Sequence, residues 1–117
     1  MTETTTLAEL RALDLTQIEE IASPIHPGEI LREEYLVPLN LSAGAVARAC
    51  GVPRTRIERI ATEETGISTD TALRLGRYFG TTPAFWLNLQ REFELATLQQ
   101  EVGDEIGGIV PLTRDAA

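Results

Sequence analysis

Between Leu41 and Thr62 two short apolar patterns are separated by one glycine, Gly51, and that glycine leaves few ways to arrange the chain. Val46, Ala47 and Cys50 recur three and four residues apart before it, and Ile57, Ile60 and Ala61 do so after it, as expected for two amphipathic helices. Ser42 offers a hydroxyl to cap the first helix. Gly51 can adopt the left-handed conformation that ends that helix and turns the chain sharply. Pro53 suits the first turn of the next helix, where its missing N–H would have had no partner. Ala47 is small where the second helix must cross. Together these positions form the pattern of a helix-turn-helix.

At about 100° per residue, Ile57, Ile60 and Ala61 turn inward. Arg54, Thr55, Glu58, Arg59 and Thr62 then share the outward face, with Arg56 flanking it. Arginine can present two donors to a guanine edge, and threonine a hydroxyl to phosphate or a methyl to thymine. We therefore expect Arg54, Thr55 and Arg59 to read base edges and Arg56 and Ser42 to meet phosphates. On an isolated surface helix such arginines would read as a solvated face. Their register with Gly51 and the apolar positions turns the reading toward DNA.

The chain has 117 residues and a net charge of −8, which argues against indiscriminate coating of nucleic acid. The distribution says more than the sum. All ten basic residues are arginine, and Arg48, Arg54, Arg56, Arg59, Arg74 and Arg77 lie in the middle third. A locally basic surface on an acidic body is expected, with acidic flanks that either solubilise the protein or meet a basic protein partner. No apolar run approaches the roughly 20 residues needed to span a bilayer, and MTETTTLAEL lacks the form of a signal peptide, so a cytoplasmic location is expected. Cys50, the single cysteine, falls on an inner helix face as a small core residue.

Along the chain, residues 1–25 carry two capping boxes, from Thr6 to Glu9 and from Thr16 to Glu19. The short apolar stripes that follow pack on the body, meet a partner or remain unfolded. A helix is expected from His26-Pro27-Gly28-Glu29 to about Leu36, with His26 as a cap or packing group and not a metal ligand. Ser68 or Thr69 should cap a further helix with Ala72, Leu75, Gly76 and Phe79 inward, closed by Gly80. Thr82-Pro83 should start the last helix. There Phe85, Trp86, Leu89, Phe93 and Ala96 form one apolar face, while Leu87, Leu95 and Leu98 form a second on nearly the opposite side. A helix apolar on two sides is buried on two sides, so Leu87, Leu95 and Leu98 are expected to form a homodimer contact, or to be covered by the N-terminal segment. From Glu101 no helix pattern continues, and a frayed acidic tail or short partner-binding strip is expected.

Three stretches carry a family resemblance: His26-Pro-Gly-Glu-Ile-Leu-Arg-Glu-Glu-Tyr35, Gly51-Val-Pro-Arg-Thr-Arg-Ile57, and Asp70-Thr-Ala-Leu-Arg-Leu-Gly-Arg-Tyr-Phe-Gly80 followed by Phe85-Trp-Leu-Asn-Leu-Gln90. In this order and spacing the chain resembles the HigA family of antitoxins, Xre-like helix-turn-helix proteins of type II toxin–antitoxin modules. The resemblance implies an all-α, five-helix, lambda-repressor-like domain, placed here over residues 26–99; the chain's own pattern adds an N-terminal helical extension (1–25) and a flexible acidic tail (100–117). It further implies a dimer that binds a palindromic operator in its own promoter and neutralises a HigB-like toxin, a basic ribonuclease of the RelE type that cuts messenger RNA. The chain departs from the family at Thr62-Glu63-Glu64-Thr65, where asparagine or glycine and basic residues are usual; these glutamates would adjoin phosphates. It departs again in the extension ahead of His26.

Two other classes stay open: a module that binds a basic protein partner without specific DNA binding, and a stand-alone transcriptional regulator. An enzyme is not expected. One histidine, one cysteine and no glycine-rich phosphate loop offer no metal cluster, no cofactor site and no activated nucleophile. Glu33-Glu34 and Glu63-Glu64 read as solvated charges.

Overall fold

The computed structural model describes residues 24–113, and the capping boxes expected near Thr6 and Thr16 lie outside them. Helix α1 (Pro27–Ile30) continues as a π-helical stretch, Leu31–Leu36. It is followed by α2 (Ala43–Cys50), α3 (Arg54–Ala61), α4 (Thr69–Phe79) and α5 (Pro83–Gly107). This is the five-helix, all-α arrangement expected, with α2 and α3 as the helix-turn-helix.

The polar residues chosen as caps do that work. Ser42, Ser68 and Thr82 each accept a hydrogen bond from the backbone N–H three residues on, at Ala45, Thr71 and Phe85. Gly51 (φ 71°) and Gly80 (φ 74°) close α2 and α4 in the left-handed conformation. Pro53 stands one residue earlier than expected. It is the extended residue before α3, and helical geometry begins at Arg54.

The core forms where the inner faces meet. Leu31, Val46, Ile57, Ile60, Ala72, Leu75 and Trp86 are all buried. Thr71, which the apolar pattern did not select, is buried with them and accepts from the Ser68 hydroxyl at 3.1 Å. Trp86 is 0 % exposed, and its indole N–H donates to the Thr81 hydroxyl at 2.7 Å, so its polar atom is buried at no hydrogen-bonding loss. Tyr35, from the π-helical stretch, lies against Trp86 and Phe79 with ring centroids 5.1 and 4.7 Å away. The wider coil was not foreseen. It shows in an i to i−5 bond, Val37 N–H to Arg32 O at 3.0 Å, and the turn beyond it closes at Asn40 (φ 53°) with Leu41 N–H on Leu36 O at 2.8 Å. The helix ends where expected, since Pro38 has no N–H with which to continue it.

The structure corrects the expected end of the last helix. α5 runs on through Glu101 to Gly107, and Gly108 N–H bonds to the carbonyls of Asp104 and Glu105. Gly103 and Gly107 weakened the sequence pattern without interrupting the backbone ladder, and no proline intervenes before Pro111. Leu87 is half-buried against the core of its own chain. Leu95 and Leu98 do stand open, and Phe93 meets the His26 ring edge-on at 4.7 Å.

His26 and Gly28 set where α1 docks. The Nδ1 atom of His26 accepts from Gly28 N–H at 2.9 Å, capping α1 with a buried imidazole. Gly28 passes so close to α3 that an added Cβ would overlap the Ile60 carbonyl oxygen. Gly28→Ala should therefore destabilise the fold by about 1–3 kcal/mol or more, because the obstacle is backbone. Gly103→Ala, where no heavy atom lies within 4 Å of the new Cβ, should stabilise by about 0.5–1 kcal/mol, both read by urea denaturation.

Burial pushes the His26 pKa down; Glu63 pulls it up and Arg32 adds to the lowering. The folded state thus favours the neutral ring that can accept from Gly28. The stabilisation is fully present above the unfolded value of about 6.5 and is lost as pH falls through the lower folded value. Urea midpoints of the wild-type protein should fall between about pH 7.5 and about pH 5, and His26→Asn, which keeps a capping side chain, should show a smaller fall.

Candidate nucleic-acid interface

Helix α3 is held by its buried face and at its C-terminal end, and the hold fixes which way its outer face points. Ile57, Ile60 and Ala61 are buried beneath it. At its C-terminal end Arg32 Nη1 donates to the Ala61 carbonyl at 2.6 Å, placing a positive charge at the negative end of the helix. The loop that follows is tied to α5 by Gln90. Its Oε1 accepts from Ile67 N–H at 2.8 Å, and Gly66 lies so near the Gln90 amide that an added Cβ would be 2.5 Å from it. At the N-terminal end, α2 begins beside Arg54; a Cβ on Gly44 would lie 3.3 Å from the Arg54 side chain.

The outer face is exposed as expected. Arg54 has 73 % of its side chain accessible, and its Nε pairs with Glu58 at 2.8 Å one turn along the same helix. Thr55 and Arg59 are exposed beside it, and Ser42 and Arg48 are exposed on α2. Ser42, Arg54, Thr55, Arg56 and Arg59 are thus exposed and Glu58 half-exposed, with Arg56 turned toward Asp70. Thr62 is not equivalent to them. It is the C-terminal cap of α3, and its hydroxyl lies 2.7 Å from the Glu64 carboxylate and 3.0 Å from the Glu58 carbonyl, so its proton is used within the chain.

The glutamates after α3 have partners too. Glu63 has φ 67°, the left-handed conformation that asparagine and glycine adopt more readily, which is the physical reason those residues suit this position. Its carboxylate accepts from both terminal nitrogens of Arg32 at 3.3 Å.

The sequence missed Asp70. It lies in the first turn of α4, and its Oδ2 accepts from Arg56 Nη1 at 2.6 Å and from Arg74 Nε at 3.0 Å. The two arginines, Arg74 before Arg56, hold its carboxyl below the usual carboxylate range. Arg74 Nη1 also donates to the Cys50 carbonyl at 2.7 Å, closing the turn between α2 and α3. One signal was legible: Asp70 and Arg74 stand four apart on a helix face. The reach of Arg56 across from α3 was not. Exposed pairs of this kind add little to stability, so their consequence is orientation. Cys50 is buried, and that burial pushes its thiol pKa up, leaving it an unreactive core group.

With this geometry in place, comparison with known proteins is informative. A helix-turn-helix family model matches residues 31–86. Virulence-associated protein I of Dichelobacter nodosus is 52 % identical over 92 residues, 79 % of this chain and 84 % of that protein. Antitoxin HigA-1 of Vibrio cholerae is 30 % identical over 76 % of this chain and 84 % of its own length. The structure of Pseudomonas aeruginosa antitoxin HigA with the higBA promoter superposes with a TM-score of 0.75 at 49 % identity, covering 78 % of this chain and all of that one.

Proposed function

Since this chain belongs to the HigA-like helix-turn-helix family, we propose that it is an antitoxin that binds the operator of its own promoter as a dimer and represses its operon. The observation that carries the reading is the outer face of α3, where Arg54, Thr55 and Arg59 stand exposed on a helix anchored through its buried face and its C-terminal end. Each α3 of the dimer enters a major groove, with half-sites about one helical turn, roughly 34 Å, apart. Arg54, Thr55 and Arg59 contact base edges; Ser42 and Arg56 contact phosphates; Glu58 orients Arg54. The likeness to a HigA structure that contains promoter DNA supports the assignment.

The second copy docks through the exposed leucines of α5. Leu95 and Leu98 are 54 % and 52 % exposed on one side of a long helix, and large apolar side chains so placed gain by burial. The partner neutralised is a HigB-like, RelE-type toxin, a basic messenger-RNA-cleaving protein attracted by the acidic body. No helix among the described residues is long and apolar enough to cross a membrane.

The test is a salt-dependent titration of the purified protein against a duplex from its own promoter, with a scrambled duplex alongside. A specific repressor prefers the promoter by about 1000-fold or more and loses affinity steeply as salt rises. Arg54→Ala should cost about 1–3 kcal/mol at the operator and relax specificity. Equal, weak binding to both duplexes would instead favour a protein-binding module, a reading motivated by the acidic residues paired to Arg54 and Arg56. In sedimentation, Leu98→Glu should convert a dimer to a folded monomer and weaken operator binding; an unchanged dimer would place the interface elsewhere.

A further inference from the structure

We propose that Asp70 is a specificity-determining residue of the DNA interface, holding Arg56 in a fixed orientation so that α3 does not bind whatever duplex it meets. This rests on α3 being the DNA-contacting helix.

Three observations converge on it. Asp70 comes from a different helix than Arg56, and its carboxylate takes Arg56 at 2.6 Å and Arg74, of its own helix, at 3.0 Å on the same oxygen. Arg74 is itself fixed, with its Nη1 also on the carbonyls of Cys50 and Gly51 at 2.7 and 3.4 Å. Asp70 is therefore anchored to the turn of the helix-turn-helix, and through its carboxylate Arg56 is tied to that turn as well. The charge distribution makes that restraint consequential. Arg48, Arg54, Arg56 and Arg59 all lie on α2 and α3, and each arginine that reaches a phosphate raises affinity for any duplex and steepens its salt dependence.

On a correctly registered operator, an Arg56 already oriented by Asp70 meets its phosphate without an ordering cost. On unrelated DNA, where the base-reading residues give no register, the same restraint keeps Arg56 from seeking the nearest phosphate. The Asp70 charge also opposes loose docking. Removing that charge should therefore help the wrong duplex more than the right one, because on the operator the gain is offset by lost orientation.

The experiment compares wild type, Asp70→Asn and the double variant Arg56→Ala/Asp70→Asn on promoter and scrambled duplexes, from about 50 mM to about 200 mM salt. Asp70→Asn is expected to bind the scrambled duplex about 10-fold more tightly at the lowest salt, with a salt slope steeper by about one, and to change operator affinity by less than about 3-fold. The double variant should lose both gains. An unchanged slope on the scrambled duplex, equal gains on both duplexes, or a gain that persists without Arg56 would overturn the proposal. If wild type binds both duplexes alike, the repressor reading fails. The slope on scrambled DNA needs no operator and still decides whether Asp70 restrains Arg56.

Discussion

The carbonyl end of α3 is the point on which the arrangement depends. The last turn of a helix leaves carbonyls without partners inside the helix, and here the stretch after α1 supplies a partner to one of them while α1 packs against the same end. Arg32 binds the Ala61 oxygen, and Gly28 lets α1 approach the Ile60 oxygen more closely than any side chain would permit. His26 and Pro27 start α1 at the position that makes this approach possible. The tilt of α3, and so the aim of Arg54, Thr55 and Arg59, follows from a contact made on the side of the helix away from DNA.

Electrostatics gives the second half of the design. A chain of net charge −8 that contacts DNA must concentrate its positive charge and also restrain it. Arg54 is paired with Glu58, Arg56 with Asp70, and Arg32 with Glu33 and Glu63. Arg48 and Arg59 lie exposed as well. The acids that made the region after α3 look hostile to phosphate are in part spoken for: Glu63 serves Arg32, and Glu64 accepts from Thr62.

Much of this was legible in sequence because the signals were local. Ser42, Ser68 and Thr82 cap helices, Gly51 and Gly80 end them, and Val46, Ile57, Ile60 and Leu75 fall on faces set by helical period. The misses share a cause, which is that they depend on elements distant in sequence or on backbone detail. Asp70 to Arg56 joins two helices; Gly28 is explained by a carbonyl on α3. The length of α5 was hidden by glycines that weaken a helix without breaking it. The π-helical turns after Ile30 have no sequence signature beyond a continuous helical pattern. Among the residues chosen on the outer face, Thr62 bonds back to the backbone of its own helix, because the end of a helix leaves carbonyls that a nearby hydroxyl can meet.

The most direct measurement is guanine N7 methylation protection on the protein's own promoter, since that atom lies in the major groove, into which we propose that α3 inserts. Two clusters of protected guanines, centred about one helical turn apart and on the same face of the duplex, are expected. Tight binding with no guanine protected from methylation, or with a single cluster at saturation, would contradict major-groove reading by a dimer.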